Sequence, residues 1–282
     1  MTKMFAKFSF AVAGLAAALT LASPASAADY PLKMPKTVDW SFSGMFGSYD
    51  NAQLQRGFQV YKEVCAGCHS LNLIAFRNLA EEGGPGFTEE EAKAIASEYF
   101  VMDGPDSEGE MFEREAILAD RFPAPFPNVE AAKAANNNAY PPDFSLLAKA
   151  RGISRGFPTF LFDLVTQYQE SGPDYIYSVL TGYDDNYEGE LPEGTYYNPY
   201  FIAGKSLSMG PPLDDELVDY ADDSIPETTD QYAKDVTAFL MWAAEPKLEQ
   251  RKALGLKVVL FLLIFAGLVY ASKRKIWASV KH

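Results

Sequence analysis

The chain has 282 residues, is 48% hydrophobic and carries a net charge of −14. All 38 acidic residues fall between residues 28 and 252, alongside only 17 of the 24 lysines and arginines, so that stretch carries −21. An acid excess of this size repels phosphates and excludes nucleic acid as a partner, while it fits a basic protein.

Lys3 and Lys7, an apolar stretch from Phe8 to Leu21, and Ala25-Ser26-Ala27 form the three parts of a secretory signal. Residues 1–27 are therefore expected to be cleaved and residues 28–252 to be exported as one elaborated domain. Leu54, Phe58, Tyr61 and Val64 then recur at helical spacing, predicting a helix over 51–64. It delivers the chain into Cys65-Ala66-Gly67-Cys68-His69, a run that uses both cysteines and one of only two histidines. Two thiols three positions apart can each add to one haem vinyl group, and the next residue offers an imidazole to the iron. This motif predicts covalent attachment of one haem c, with Cys65 and Cys68 as anchors and His69 as a metal ligand. Zinc wants about four nitrogen or sulfur ligands, and only His282 remains. A redox Cys-x-x-Cys wants a strand leading into it, and no strand pattern precedes this one.

Downstream, Phe122–Asn128 and Asn136–Pro142 read as turn-forming loops, followed by a helix from Asp143. Residues 158–169 and 173–180 read as short helices, the second with Pro173 near its start and Gly182 just past its end. Asp184–Gly189 resembles a calcium loop, but Thr195 stands where a bidentate acid is needed, so it is a solvated acidic loop. Thr228–Gln231 offers a capping box for a helix carrying Val236, Phe239, Leu240 and Ala243, expected to pack on the first helix. Strand signals are sparse. Residues 253–272 form an apolar stretch long enough to span a bilayer, with Lys257 near its start able to snorkel. Lys273, Arg274, Lys275 and Lys281 follow without an acid, which places the tail 273–282 in the cytoplasm and the domain in the periplasm.

His282 would stand across the membrane from the haem, so a methionine is the expected second axial ligand. Met209, between residues stiffened by Pro211 and Pro212, and Met102 are the candidates; Met241 belongs to a helix core. A histidine–methionine pair raises the reduction potential and fills the position that oxygen activation would need.

Taken together, Asn51 through His69, Ala134–Asn137, Tyr140–Ser145, Leu180–Tyr183, Asn198–Phe201, Met209–Pro212 and Ala233–Pro246 resemble the cytochrome c1 family, over most of the mature chain. The resemblance implies a mainly α, elaborated class I cytochrome c-type haem domain with long loops and one C-terminal transmembrane helix. It implies Met209 as the sixth ligand and Arg151 facing a haem propionate. Asn136, Ala139, Pro141, Pro142, Tyr175 and Phe201 match haem-lining positions. The implied function is a one-electron relay from the Rieske iron–sulfur protein to a soluble or tethered cytochrome c. The chain would be non-catalytic alone, beside cytochrome b in a dimeric, proton-translocating quinol–cytochrome c reductase of the bacterial inner membrane. A disulfide found in some bacterial members has no thiols here, so residues 183–209 need other contacts.

Overall fold

The computed structural model describes residues 33–166 and 168–279. The expected signal segment and the end of the basic tail, His282 included, lie outside the described residues.

Helix α1 spans Asn51–Val60, and its first N–H groups are met by Asp50, whose carboxylate accepts from Ala52 at 2.9 Å and Gln53 at 3.2 Å. Leu54, Gly57, Phe58 and Val60 form its buried face. The helix does not end at Val60 but widens: the Ala66 N–H reaches the Tyr61 carbonyl at 2.8 Å, the five-residue step of a π turn over Tyr61–Cys65.

Among the described residues, six further α-helices, a 3-10 helix at Phe76–Ala80 and two small antiparallel ladders complete the domain. The helices are α2 Glu89–Ser97, α3 Val129–Ala135, α4 Leu147–Ala150, α5 Thr159–Thr166, α6 Ser171–Leu180 and α7 Thr229–Ala244. In the first ladder Phe100–Asp103 (β1) pairs with Phe112–Glu115 (β2); in the second Tyr196–Tyr197 (β3) pairs with Ser206–Leu207 (β4). The architecture is mainly helical with long connections, as expected. Helix α2 went unread in the sequence although Thr88 and Glu91 cap it reciprocally, Glu91 N to Thr88 Oγ1 at 3.2 Å and Thr88 N to Glu91 Oε2 at 2.7 Å.

Helices α1 and α7 cross at Gly57, where a β-carbon would stand 2.0 Å from the Asp235 carbonyl oxygen. Only a glycine lets the two backbones approach so closely. Beside the crossing, the fully buried Asp235 carboxylate is held by Arg56 Nε at 2.9 Å, Gln53 at 3.1 Å, Tyr220 OH at 3.0 Å and Gln231 at 2.9 Å. A buried charge is tolerable only when its acceptor sites are filled in this way. The demand overrides the expected capping box: Thr228 Oγ1 accepts from Gln231 N at 3.3 Å, but the Gln231 side chain turns to Asp235 instead of back to the cap. Phe58 and Tyr61 pack on Phe239 with ring centroids 5.6 and 5.7 Å apart, which fixes the end of α1.

The helix expected from Asp143 starts only at Leu147. Asp143 is occupied elsewhere, its carboxylate accepting from Asn72 N at 2.9 Å, Ser70 Oγ at 2.8 Å and Ser145 N at 2.8 Å. Side-chain bonds of this kind compete with helical ones and hold residues 143–146 in a turn against 70–73.

Residues 183–209 are ordered by polar contacts. Buried Asn198 donates to the Val179 carbonyl at 2.8 Å and accepts from Tyr200 N at 3.0 Å, while Tyr187 stacks on Tyr197 with centroids 3.8 Å apart. The Asp184–Gly189 loop is solvent-facing, with the Asp184 carboxylate accepting from Asn186 N at 3.0 Å.

Helix α8 runs unbroken over Leu248–Trp277, 30 residues or about 45 Å. None of its apolar window is buried in the protein. It is a single-pass membrane anchor, tied to the domain through Glu245, which pairs with Lys149 of α4 and with Arg251.

Candidate functional site

The π turn places Cys65 in the last turn of the α1 extension, half-buried, while Cys68 is exposed; both thiols are free. Cys68 N and His69 N both donate to the Cys65 carbonyl, at 3.1 and 2.9 Å, so the five residues curl into one turn. Gly67 faces open space. Burial, with Cys68 nearby, pushes the Cys65 thiol up to about 12, which keeps it protonated at neutral pH.

His69 is 8% exposed and gripped on three sides. Tyr61 OH donates to its carbonyl at 3.1 Å, the Phe144 ring stacks on the imidazole at 3.9 Å, and Nδ1 lies 2.9 Å from the Pro142 carbonyl. A carbonyl can only accept, so Nδ1 carries the hydrogen and Nε2 keeps its lone pair. Burial lowers the His69 pKa, opposed by Pro142 and Asp143, and holds the ring neutral. This is the arrangement by which proteins prepare a histidine as a metal ligand, the second nitrogen anchored on a backbone oxygen. Among the described residues no three His, Cys, Asp or Glu side chains converge, so the donor set fits a haem iron and not zinc.

Pro142 is thus joined directly to His69, and Pro141 lies half-buried beside it. Asn136 closes α3, its amide donating to the Ala132 carbonyl at 2.7 Å, and Ala139 N returns to the Asn136 carbonyl at 2.8 Å across two left-handed residues, Asn137 and Asn138. Arg151 is half-buried at the end of α4 and near enough to Tyr175 for its charge to favour the phenolate, against the burial that raises that pKa. Tyr175 is 6% exposed, and its hydroxyl accepts from Ile202 N at 3.4 Å, next to half-buried Phe201.

Met209 is half-buried, packs on the hydrophobic core, and has its carbonyl bound by Tyr183 OH at 2.9 Å. Met34, Met45, Met102 and Met111 are all exposed and Met241 is 1% exposed within α7. Met102 is therefore a surface residue of β1. Neither Met209 nor Asn136 is hydrogen-bonded to the motif. Phe144 and Asn198 are organising residues to which the sequence reading gave no role. Phe144 adjoins the Pro142-Asp143 step that meets His69, and Asn198 sits before a proline in a loop, a position where a buried amide is unusual.

A free thiol pair, an oriented neutral histidine and a helical domain on one apolar helix define a cytochrome c-type protein anchored to a membrane. The profile of the Cytochrome C1 family matches residues 40–280. Over 272 residues the chain is 46% identical to cytochrome c1 of Blastochloris viridis, covering 96% of this chain and 94% of that protein. It is 45% identical to cytochrome c1 of Rhodospirillum rubrum over 86% of this chain and 88% of that one. It is also 57% identical to a Bradyrhizobium diazoefficiens protein named cytochrome b/c1, over 85% of this chain but 35% of that protein, so the chain spans about a third of that relative. The chain belongs to the cytochrome c1 family, which implies a haem c.

Proposed function

We propose that the chain is the haem-carrying subunit of a cytochrome bc1 complex and relays single electrons from the Rieske iron–sulfur protein to a cytochrome c. The observation that carries this reading is the His69 imidazole, bound through Nδ1 to the Pro142 carbonyl beside two free thiols, with Nε2 left to ligate. Cys65 and Cys68 would hold one haem c covalently, each thiol adding across one vinyl group. When bound, the haem supplies a one-electron ferric–ferrous couple. His69 and Met209 would be the residues that ligate the iron, a donor pair suited to electron transfer. Arg151 would offer its charge to a propionate, and Asn136, Ala139, Pro141, Pro142, Tyr175 and Phe201 would line the ring.

The Bradyrhizobium relative, whose name couples cytochrome b with c1, supports cytochrome b as an immediate neighbour; the complex would be dimeric and proton-translocating. The basic tail supports a cytoplasmic C-terminus and a periplasmic haem domain. On this reading the chain transfers electrons but performs no bond chemistry on a substrate.

The test is spectroscopic. The haem should stay with the polypeptide through denaturing electrophoresis and acid–acetone extraction, and ferric protein should show the sulfur–iron charge-transfer band, lost in Met209→Leu. Extraction of the haem from the native chain would refute covalent attachment, and a band surviving in Met209→Leu would refute the ligand. For the electron path, a reduced Rieske fragment should reduce the protein and the protein should then reduce a cytochrome c.

A further inference from the structure

Two apolar features take no part in the haem site. The first is the turn at Gly44–Phe46, at whose tip Phe46 is 80% exposed and Met45 45% exposed. This turn is fastened to the start of α8. Lys252 Nζ donates to the Phe42 carbonyl at 2.6 Å and the Gly47 carbonyl at 3.2 Å, and Tyr49 N donates to Glu249 Oε1 at 2.9 Å. Met45, Phe46, Ala253 and Leu256 line one groove.

The second feature is α5 and the residues just before it. Phe157, Phe160, Leu161 and Phe162 are all exposed. Asp163, the only charged residue of α5, is withdrawn from that face by an ion pair with Arg155, whose guanidinium lies 3.9 Å from the Tyr168 ring. The chain leaving α5 returns to the first feature: Gly44 N donates to Glu170 Oε1 at 3.3 Å, and Arg251 Nη2 donates to Gln169 Oε1 at 3.3 Å. Both features therefore converge on the first turns of the membrane helix.

The level at which they do so follows from the helix itself. The run from Leu254 to Ala271, apolar apart from the snorkelling Lys257, has 18 residues, roughly 27 Å of helix, close to the ~30 Å of a bilayer's hydrocarbon. Ala253 and Leu256 straddle the first residue of that run, so Met45 and Phe46 stand where headgroups give way to acyl chains. We propose that the Met45–Phe46 turn and the outward face of α5 lie in the membrane interface against lipid, giving the domain two footings beside α8. Lipid is the occupant the chemistry fits. The exposed face of α5 holds large apolar side chains with its acid withdrawn, as interfacial segments do, and the Met45–Phe46 turn is continuous with the start of α8 through their shared groove. A protein interface of similar extent would carry hydrogen-bonding groups. The footings would restrict tilt and rotation about α8 and hold the haem motif at one height above the bilayer.

An apolar carbene-generating photolabel dissolved in the bilayer tests this, with adducts mapped by peptide mass spectrometry. The haem-loaded full chain is labelled in phosphatidylcholine vesicles and, in parallel, in native membranes containing the assembled complex. The expected result in both is labelling of 45–46 and 157–162 comparable to that of 254–271 and about tenfold above the acidic loop 184–189. Labelling confined to 254–271 would overturn the proposal. Labelling of the two segments in vesicles but not in native membranes would also overturn it, since a protein neighbour would then be the occupant. Absence of label from 254–271 as well would show that the anchor itself is misassigned, and the footings would fall with it.

Discussion

Replacing Gly57 by alanine puts a methyl carbon 2.0 Å from the Asp235 carbonyl oxygen, 2.7 Å from its carbonyl carbon and 2.7 Å from Phe239 Cβ. Non-bonded carbons settle at about 3.5–4.0 Å, so α1 and α7 must part by about an ångström. Overpacking of this kind costs about 1–3 kcal/mol. Separation also stretches the Arg56–Asp235 pair, and a buried pair broken outright costs about 3–5 kcal/mol. Alanine's better helix propensity returns only about 1 kcal/mol. A net loss of about 3 kcal/mol follows, which at about 2–4 °C per kcal/mol for a domain of this size lowers Tm by about 6–12 °C. The assay is thermal unfolding of the full protein in detergent, followed by far-ultraviolet circular dichroism. Gly204→Ala is the internal control, because nothing lies within 4 Å of its β-carbon position. A Gly57→Ala protein melting within about 2 °C of the parent would refute the close-crossing argument, since the structure leaves no side chain that could move aside.

Three further outcomes are expected. Burial raises the Glu245 pKa, but Arg251 and Lys149 outweigh it and bring the carboxyl below its ordinary 4.5. A depressed carboxyl stabilises the fold above its unfolded pKa and loses that contribution as pH falls. Glu245→Gln should therefore cost about 1 kcal/mol at pH 7 after solvent screening, with the difference from the parent shrinking as pH drops below that ordinary value in urea titrations; a constant gap would contradict the pairing. Arg151→Gln removes a positive charge beside the proposed propionate and should lower the haem midpoint potential, because the more positive ferric state is then less disfavoured; an unmoved potential in redox titration removes the assignment. The association rate with a basic cytochrome c should fall several-fold between low and moderate ionic strength in stopped-flow mixing, and a flat profile would count against steering by the −21 charge of residues 28–252.

The haem motif, the membrane helix and the two helices that cross beneath the motif were legible because each is a local pattern: a five-residue spacing, an apolar run, a 3.6-residue period. Local patterns survive being read one residue at a time. The choice among methionines was open on that basis, since Met102 and Met209 are chemically equal in a string, and only burial separates a strand residue facing water from one packed on the core. The helix predicted from Asp143 failed for a related reason, as nothing in residues 143–146 announces that the Asp143 carboxylate is spoken for by Ser70 and Asn72. The same holds for the half-made capping box, where a buried Asp235 outbids the cap for Gln231.

What the chain determined alone was its chemistry: two thiols and one imidazole in a run, one apolar anchor, and an acidic stretch ahead of that anchor. What tertiary structure decided was the state of that chemistry. The Pro142 carbonyl, 73 residues away, sets the His69 tautomer, and Phe144 fixes the plane of its ring. Partnerships over such distances in sequence depend on how the backbone returns, and that return is settled by burial and hydrogen-bond satisfaction across the whole domain.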